Sequence, residues 1–267
     1  MVTAVHRALG MFRFALAEND NHRKNFLREF CFYTLAAVMA FHFCQLRFGM
    51  TGQPLENNIR HLMDGTAYTP FQYRVLIPWF VNWILEALKL FSGVPTISPD
   101  KLFQSIELLT VFLLFVAVRH YVSVVLGNYI LGFISSVLVF HALLFSYVMP
   151  RAVPLWYVHW FPFDIPAVLF VTAGLFLIHQ EKWVPYYFLF LVATLNRETS
   201  FFLTLIYLLT NLGKGKAKQL GLHCLAQFLI WATVKYVLFT MYINNPVGDS
   251  GQDPAYAAWH IGLYDPN

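Results

Sequence analysis

The chain has 267 residues, of which 58% are hydrophobic and 12% charged, and its formal net charge is +4. A soluble domain carries about a quarter charged residues, so the composition excludes an ordinary soluble enzyme. It indicates an all-α, polytopic bundle of transmembrane helices. The basic residues are scattered rather than gathered into a module, so there is no nucleic-acid-binding signal.

Residues 1–28 hold Arg7, Arg13, Arg23, Lys24 and Arg28 and no compact apolar run before a small-residue cleavage site. They read as a basic cytoplasmic tail rather than a removable signal. Val5, Leu9, Phe12 and Leu16 recur at helical spacing, so the tail is predicted to be an amphipathic surface helix. The transmembrane domain is predicted over 29–243. Its first span, 29–48, leaves the basic tail and exits on the far side. Cys31 and Cys44 stand about 20 Å apart along it, too far to bridge. With Cys224 they read as small core residues.

A polar segment, 49–70, follows, with Glu56, Arg60, His61 and Asp64. His61 and Asp64 are three residues apart and share a face on a helical turn. That suits a carboxylate base oriented by an imidazole, or two ligands for a divalent metal ion. The alternative is that Asp64 caps the turn at Gly65.

The segment 71–91 is apolar but contains Arg74, Pro78, Asn82, Glu86 and Lys89, with Trp79 and Trp83 as interface-type residues. It reads as an amphipathic extracytoplasmic interfacial helix, with a second crossing as the alternative. Arg74 at its start has the planar fork that matches a phosphate, or it snorkels to the interface. Clear apolar spans follow at 102–118, 129–148 and 163–178. Ser98 before Pro99 gives the first of these good capping chemistry. Asn82, Glu86, Gln104 and Glu107 read as solvated or structural.

The loop before the third of these spans is dense in proline and aromatics. It carries Arg151, His159 and Asp164, with Trp156, Tyr157, Trp160 and Phe161 as either a sugar or lipid platform or a plain aromatic belt. Asp164 enters a helix N-terminus, which favours a carboxylate whether for capping or for function.

Two half-length stretches, 184–195 and 201–212, flank Asn196, Arg197 and Glu198, and a last span covers 220–243. The tail 244–267 is polar and reads as extracytoplasmic. If 184–212 were one span, Arg197 and Glu198 would lie near the bilayer centre, at roughly 2.5–3.5 kcal/mol or more each before pairing. A short hairpin with the two charges at its tip avoids this cost. It gives about seven membrane segments beside the interfacial helix. Arg197 and Glu198 either neutralise each other or act separately, Arg197 on a lipid phosphate and Glu198 in an orienting role.

In the hairpin topology, one far face collects His61, Asp64, Arg74, Arg151, His159, Asp164, Arg197 and Glu198. An acidic residue in a first extracytoplasmic loop, here Asp64, followed by an amphipathic surface helix at 71–91, resembles the GT-C class of membrane glycosyltransferases. The stretches Tyr73 to Pro78 (YRVLIP) and Asn196 to Thr199 (NRET) are similar to ones in bacterial polytopic proteins of that kind. GT-C enzymes often carry a paired acidic motif in that loop, where this chain has the single Asp64.

The resemblance implies inverting transfer of a sugar from a polyprenyl-phosphate donor. It gives Asp64 the catalytic role and Arg74, Arg151 or Arg197 the leaving phosphate; Asp164 is a second candidate catalytic carboxylate from its own position, beside His61, His159 and Glu198 as candidate substrate-binding residues. A divalent metal at Asp64 and His61 is compatible with the resemblance but not required by it. The implied setting is the bacterial inner membrane, among membrane lipids. The rival expectation is a non-enzymatic subunit held by partner membrane proteins, suggested by the small size and short cytoplasmic loops.

Overall fold

The structure is a computed structural model. It describes residues 2–50, 61–67, 71–92, 97–148, 161–214 and 217–245. Secondary structure among the described residues is helical throughout. In chain order the helices are α1 (Val2–Met50), α2 (Leu76–Ser92), α3 (Pro99–Leu126), α4 (Tyr129–Tyr147), α5 (Asp164–His179), α6 (Trp183–Asn196), α7 (Phe201–Asn211) and α8 (Ala217–Met241). Among the described residues, four stretches are long and apolar enough to cross a membrane: Asn25–Gly49, Pro99–Leu126, Tyr129–Tyr147 and Ala217–Met241. Helices α5 and α6 are apolar but shorter. The protein is therefore a helical membrane protein. The tail expected at 1–28 is not set off by a break, since α1 runs straight through it.

Local chemistry explains the helix ends. The Ser98 side chain accepts from Lys101 N and Pro99 opens α3, as capping chemistry predicts. Gly127, at φ 63°, ends α3 in a left-handed conformation. Asn128 then accepts from the backbone N–H groups of Ile130 and Leu131 to start α4. The helix expected over 71–91 begins later, at Leu76, after a 3-10 turn Phe71–Tyr73. The reason is that the Val75 N–H is spent on the Leu195 carbonyl, 3.1 Å away at the end of α6.

Of four buried apolar clusters among the described residues, two tie the bundle helices together. One joins α1, α3 and α4 to the start of α5 through Phe32, Phe43, Leu114, Phe115, Leu143 and Ile165. The other joins α5, α6, α7 and α8 around Tyr186, Phe190 and Leu203. Helix α5 thus belongs to both. Gly174 on α5 lets Leu203 of α7 approach, since a Cβ there would stand 2.7 Å from Leu203 Cδ1.

The stretch 183–211 is a hairpin. The Trp183 and Tyr207 rings, which a continuous helix would hold about 36 Å apart, have centroids 5.2 Å apart. Thr194 and Ser200 join hydroxyls across the reversal at 2.9 Å. The single-span alternative for 184–212 is thereby overturned.

Candidate functional site

The ends of the helices sort the charges into two layers. At one end, Arg119 of α3 donates to Glu29 of α1 at 2.5 Å and lies over the Phe32 and Tyr129 rings. At the other end, Arg47 of α1 donates to Glu107 of α3 at 2.5 Å. Glu107 and Arg119 are twelve residues apart on one helix, so the layers are separated by about 18 Å of apolar bundle.

The layer around Arg47 is the larger. Its Nη2 lies 3.9 Å from Asp164 Oδ2, and its guanidinium sits 4.8 Å from the centre of the Tyr147 ring. Asp164, the first residue of α5, accepts from Arg197 Nη1 at 2.7 Å. The next two residues explain why these ends meet. Asn196 Nδ2 donates to the Phe163 carbonyl at 2.9 Å and pins the end of α6 to the start of α5. Arg197 then turns extended, φ −161° and ψ 145°, which ends the helix and aims its side chain at Asp164.

Beside this chain runs a second. Arg74 Nη2 donates to Glu198 Oε1 at 3.0 Å, and Lys235 Nζ of α8 lies 3.7 Å from the other oxygen, Oε2. The Arg74 guanidinium lies over the rings of Phe163 and Phe71, 4.4 and 5.0 Å from their centroids. Phe71, Phe161 and Phe163 stack into one wall. Burial alone disfavours the Glu198 carboxylate. The Arg74 charge and hydrogen bond, a backbone hydrogen bond and Lys235 outweigh it and hold the carboxyl below the usual glutamate range.

The cluster therefore holds four cations, Arg47, Arg74, Arg197 and Lys235, against three carboxylates, Glu107, Asp164 and Glu198. Side-chain exposure rises from 0% at Arg47 to 30% at Arg197 and 38% at Glu198. In exposure the group is recessed: buried at its floor, Arg47 and Glu107, and partly exposed at its mouth, Arg197 and Glu198. The Nε atoms of Arg74 and Arg197 are buried and have no hydrogen-bond partner among the described residues.

Asp64 lies on a turn held from two sides. Asn82 Nδ2 of α2 donates to the Met63 carbonyl at 3.0 Å. Asn245 Nδ2, just past α8, donates to the Gly65 and Ala67 carbonyls at 2.6 and 3.1 Å. Asp64 is exposed and forms no ion pair with the described residues. His61 does not orient it; its Nδ1 is 2.9 Å from Thr66 Oγ1 instead. Among the described residues no group of three or more His, Cys, Asp or Glu gathers in ligand geometry.

Arg74, Asp164, Arg197 and Glu198 thus come together as one site, with His61 and Asp64 on a turn at the same end of the bundle. Arg151 and His159 lie outside the described residues, as do Trp156, Tyr157 and Trp160. Arg197 and Glu198 do not neutralise each other: one pairs with Asp164, the other with Arg74 and Lys235. Glu107, expected to be solvated or structural, is buried in the ionic floor. Arg47 and Lys235 are site residues that the sequence reading missed. A lone Lys inside the apolar stretch of α8 was the available signal. Comparison with protein-family models, curated proteins and solved structures gives no match.

Proposed function

We propose that this chain is a GT-C-like membrane glycosyltransferase that moves a sugar from a polyprenyl-phosphate donor to an extracytoplasmic acceptor. The observation that carries the reading is the cluster itself: four cations against three carboxylates, partly exposed at one end of an apolar bundle. Ionisable groups kept inside a membrane protein are functional by default, and planar guanidinium groups suit phosphate.

Helices α1, α3, α4, α5, α6, α7 and α8 make seven membrane segments, of which α6 and α7 are a short hairpin, and α2 lies at the far interface. The end carrying Arg28, Arg119, Lys182 and Lys214 faces the cytoplasm of a bacterial inner membrane, by the positive-inside rule. The recess then opens on the other side, where a lipid phosphate lies at the membrane surface.

Asp64, exposed and without an ion-pair partner among the described residues, takes the proton of the acceptor hydroxyl as that oxygen attacks the anomeric carbon. The bond from that carbon to the phosphate oxygen breaks, and the electron pair leaves on the lipid phosphate. Arg74, Arg197 and Lys235 hold the charge that develops there. Arg47, Glu107 and Asp164 are positioning residues, because they pair with one another and with Arg197 on the less exposed side of the cluster.

Asp64→Asn is expected to abolish transfer from polyprenyl-phosphate sugars while leaving expression and thermal unfolding unchanged. Transfer at the wild-type rate would remove Asp64 as the base. One observation favours a second reading, a non-enzymatic subunit of a larger membrane complex. Every carboxylate in the recess already has a cationic partner, as a purely structural network requires. Copurification of a stable partner in mild detergent, with no turnover, would establish that reading instead.

A further inference from the structure

We infer that Glu198 is a resident counter-anion, occupying the place that the phosphate of the lipid ligand takes when it binds. The inference rests on the phosphate-holding role proposed for Arg74 and Lys235.

The two cations are held by the fold and not by Glu198. Arg74 is 7% exposed, lies against two aromatic rings, and is followed by Val75, whose backbone is bonded to Leu195. Lys235 projects from the last third of α8 and lies 5.9 Å from the centre of the Tyr73 ring. Glu198 is the reverse case. It is the most exposed member of the cluster, and it projects from a 3-10 turn at the mouth of the recess.

Its hold on Arg74 is also incomplete. One carboxylate oxygen meets Nη2 at 3.0 Å, while Nε on the same edge of the guanidinium has no hydrogen-bond partner among the described residues. A guanidinium edge engages an oxyanion best through two parallel bonds. A phosphate entering from the mouth offers oxygens to Nε, Nη2 and the lysine together, and the flexible carboxylate swings outward. Asp164 is not exchangeable in this way, because its side chain is only 12% exposed and is held between two cations, Arg47 and Arg197. The empty state is thus self-occluded, and apparent affinity is reduced by the fraction of molecules in which Glu198 sits on its cations.

The test is binding of dodecyl phosphate, and separately of inorganic phosphate, to the purified full chain in neutral detergent, by titration calorimetry. Glu198→Gln keeps the shape and removes the competing charge, and is expected to bind dodecyl phosphate about tenfold more tightly than wild type, corresponding to ~1.4 kcal/mol. Glu198→Asp keeps the charge and is expected to show no such gain, which separates competition from a merely structural effect. Arg74→Gln is expected to lose binding. A gain with both probes supports displacement by the phosphate group alone. A gain confined to dodecyl phosphate supports displacement that needs the lipid chain as well.

If wild type binds and Glu198→Gln binds equally or more weakly, the counter-anion role is overturned while the phosphate site stands. If neither wild type nor Glu198→Gln binds either probe, the phosphate site falls, and the counter-anion role falls with it.

Discussion

The Arg47 side chain has 0% exposure and its partner Glu107 has 3%. Removing one member of such a pair strands the other charge in the bundle, at a typical cost of about 3–5 kcal/mol. Arg47→Met is therefore expected to lower stability by about that amount. Arg47→Met combined with Glu107→Leu should recover most of the loss, because no charge is then left without its partner. Reversible unfolding in mixed detergent micelles reads both variants; a single variant as stable as wild type would show that the pair is solvated. Sequence alone does not announce this pair. Arg47 lies at a span end, where an arginine ordinarily snorkels, and Glu107 is sixty residues away with nothing local to mark it. Arg197 and Glu198 misled in the opposite sense. Their adjacency suggested mutual neutralisation, but an extended residue followed by a 3-10 turn sends the two side chains to different partners.

Among the elements, α3 and α4 approach most closely at Gly132. A Cβ there would stand 2.5 Å from the Arg119 carbonyl oxygen and closer still to Ser123 Oγ. One turn on, Ser136 Oγ donates to the Phe115 carbonyl at 2.9 Å. Small residues four apart let helix backbones touch inside a membrane. Gly132→Val is expected to force the pair apart and lower stability by about 1–3 kcal/mol, the usual cost of overpacking; an unchanged unfolding midpoint in detergent would refute this close packing. The helices themselves were legible wherever apolar runs met capping chemistry, as at Ser98 and Pro99. The hairpin at 183–211 was legible from cost alone, since two charges at mid-membrane are expensive. The start of α2 was not, because it is set by a hydrogen bond from Val75 to Leu195, a residue far along the chain.

For the whole molecule, the two charge layers make orientation measurable. In a background lacking Cys31, Cys44 and Cys224, single cysteines at Asp64 and Glu198 are expected to react with an impermeant thiol reagent added outside the cell. Cysteines at Asn128, Lys182 and Lys214 should react only after the membrane is opened. Labelling of positions 64 and 198 from opposite sides would dismantle the site, since both belong to the same end of the bundle.

Helices α6 and α7 have 14 and 11 residues, so they rise about 21 and 16 Å, against a hydrocarbon layer of about 30 Å. A leaflet pinned at its proper height by the four long helices must dip to reach the hairpin tip. On the proposed topology the hairpin would dent the surrounding membrane, to a depth that depends on the lipid. Longer acyl chains deepen the mismatch at a cost of fractions of a kcal/mol per Å. In reconstituted bilayers, the cysteine at position 198 should accordingly react more slowly as the chains lengthen. Membrane thickness then acts as a setting on the mouth of the recess, imposed from outside the polypeptide.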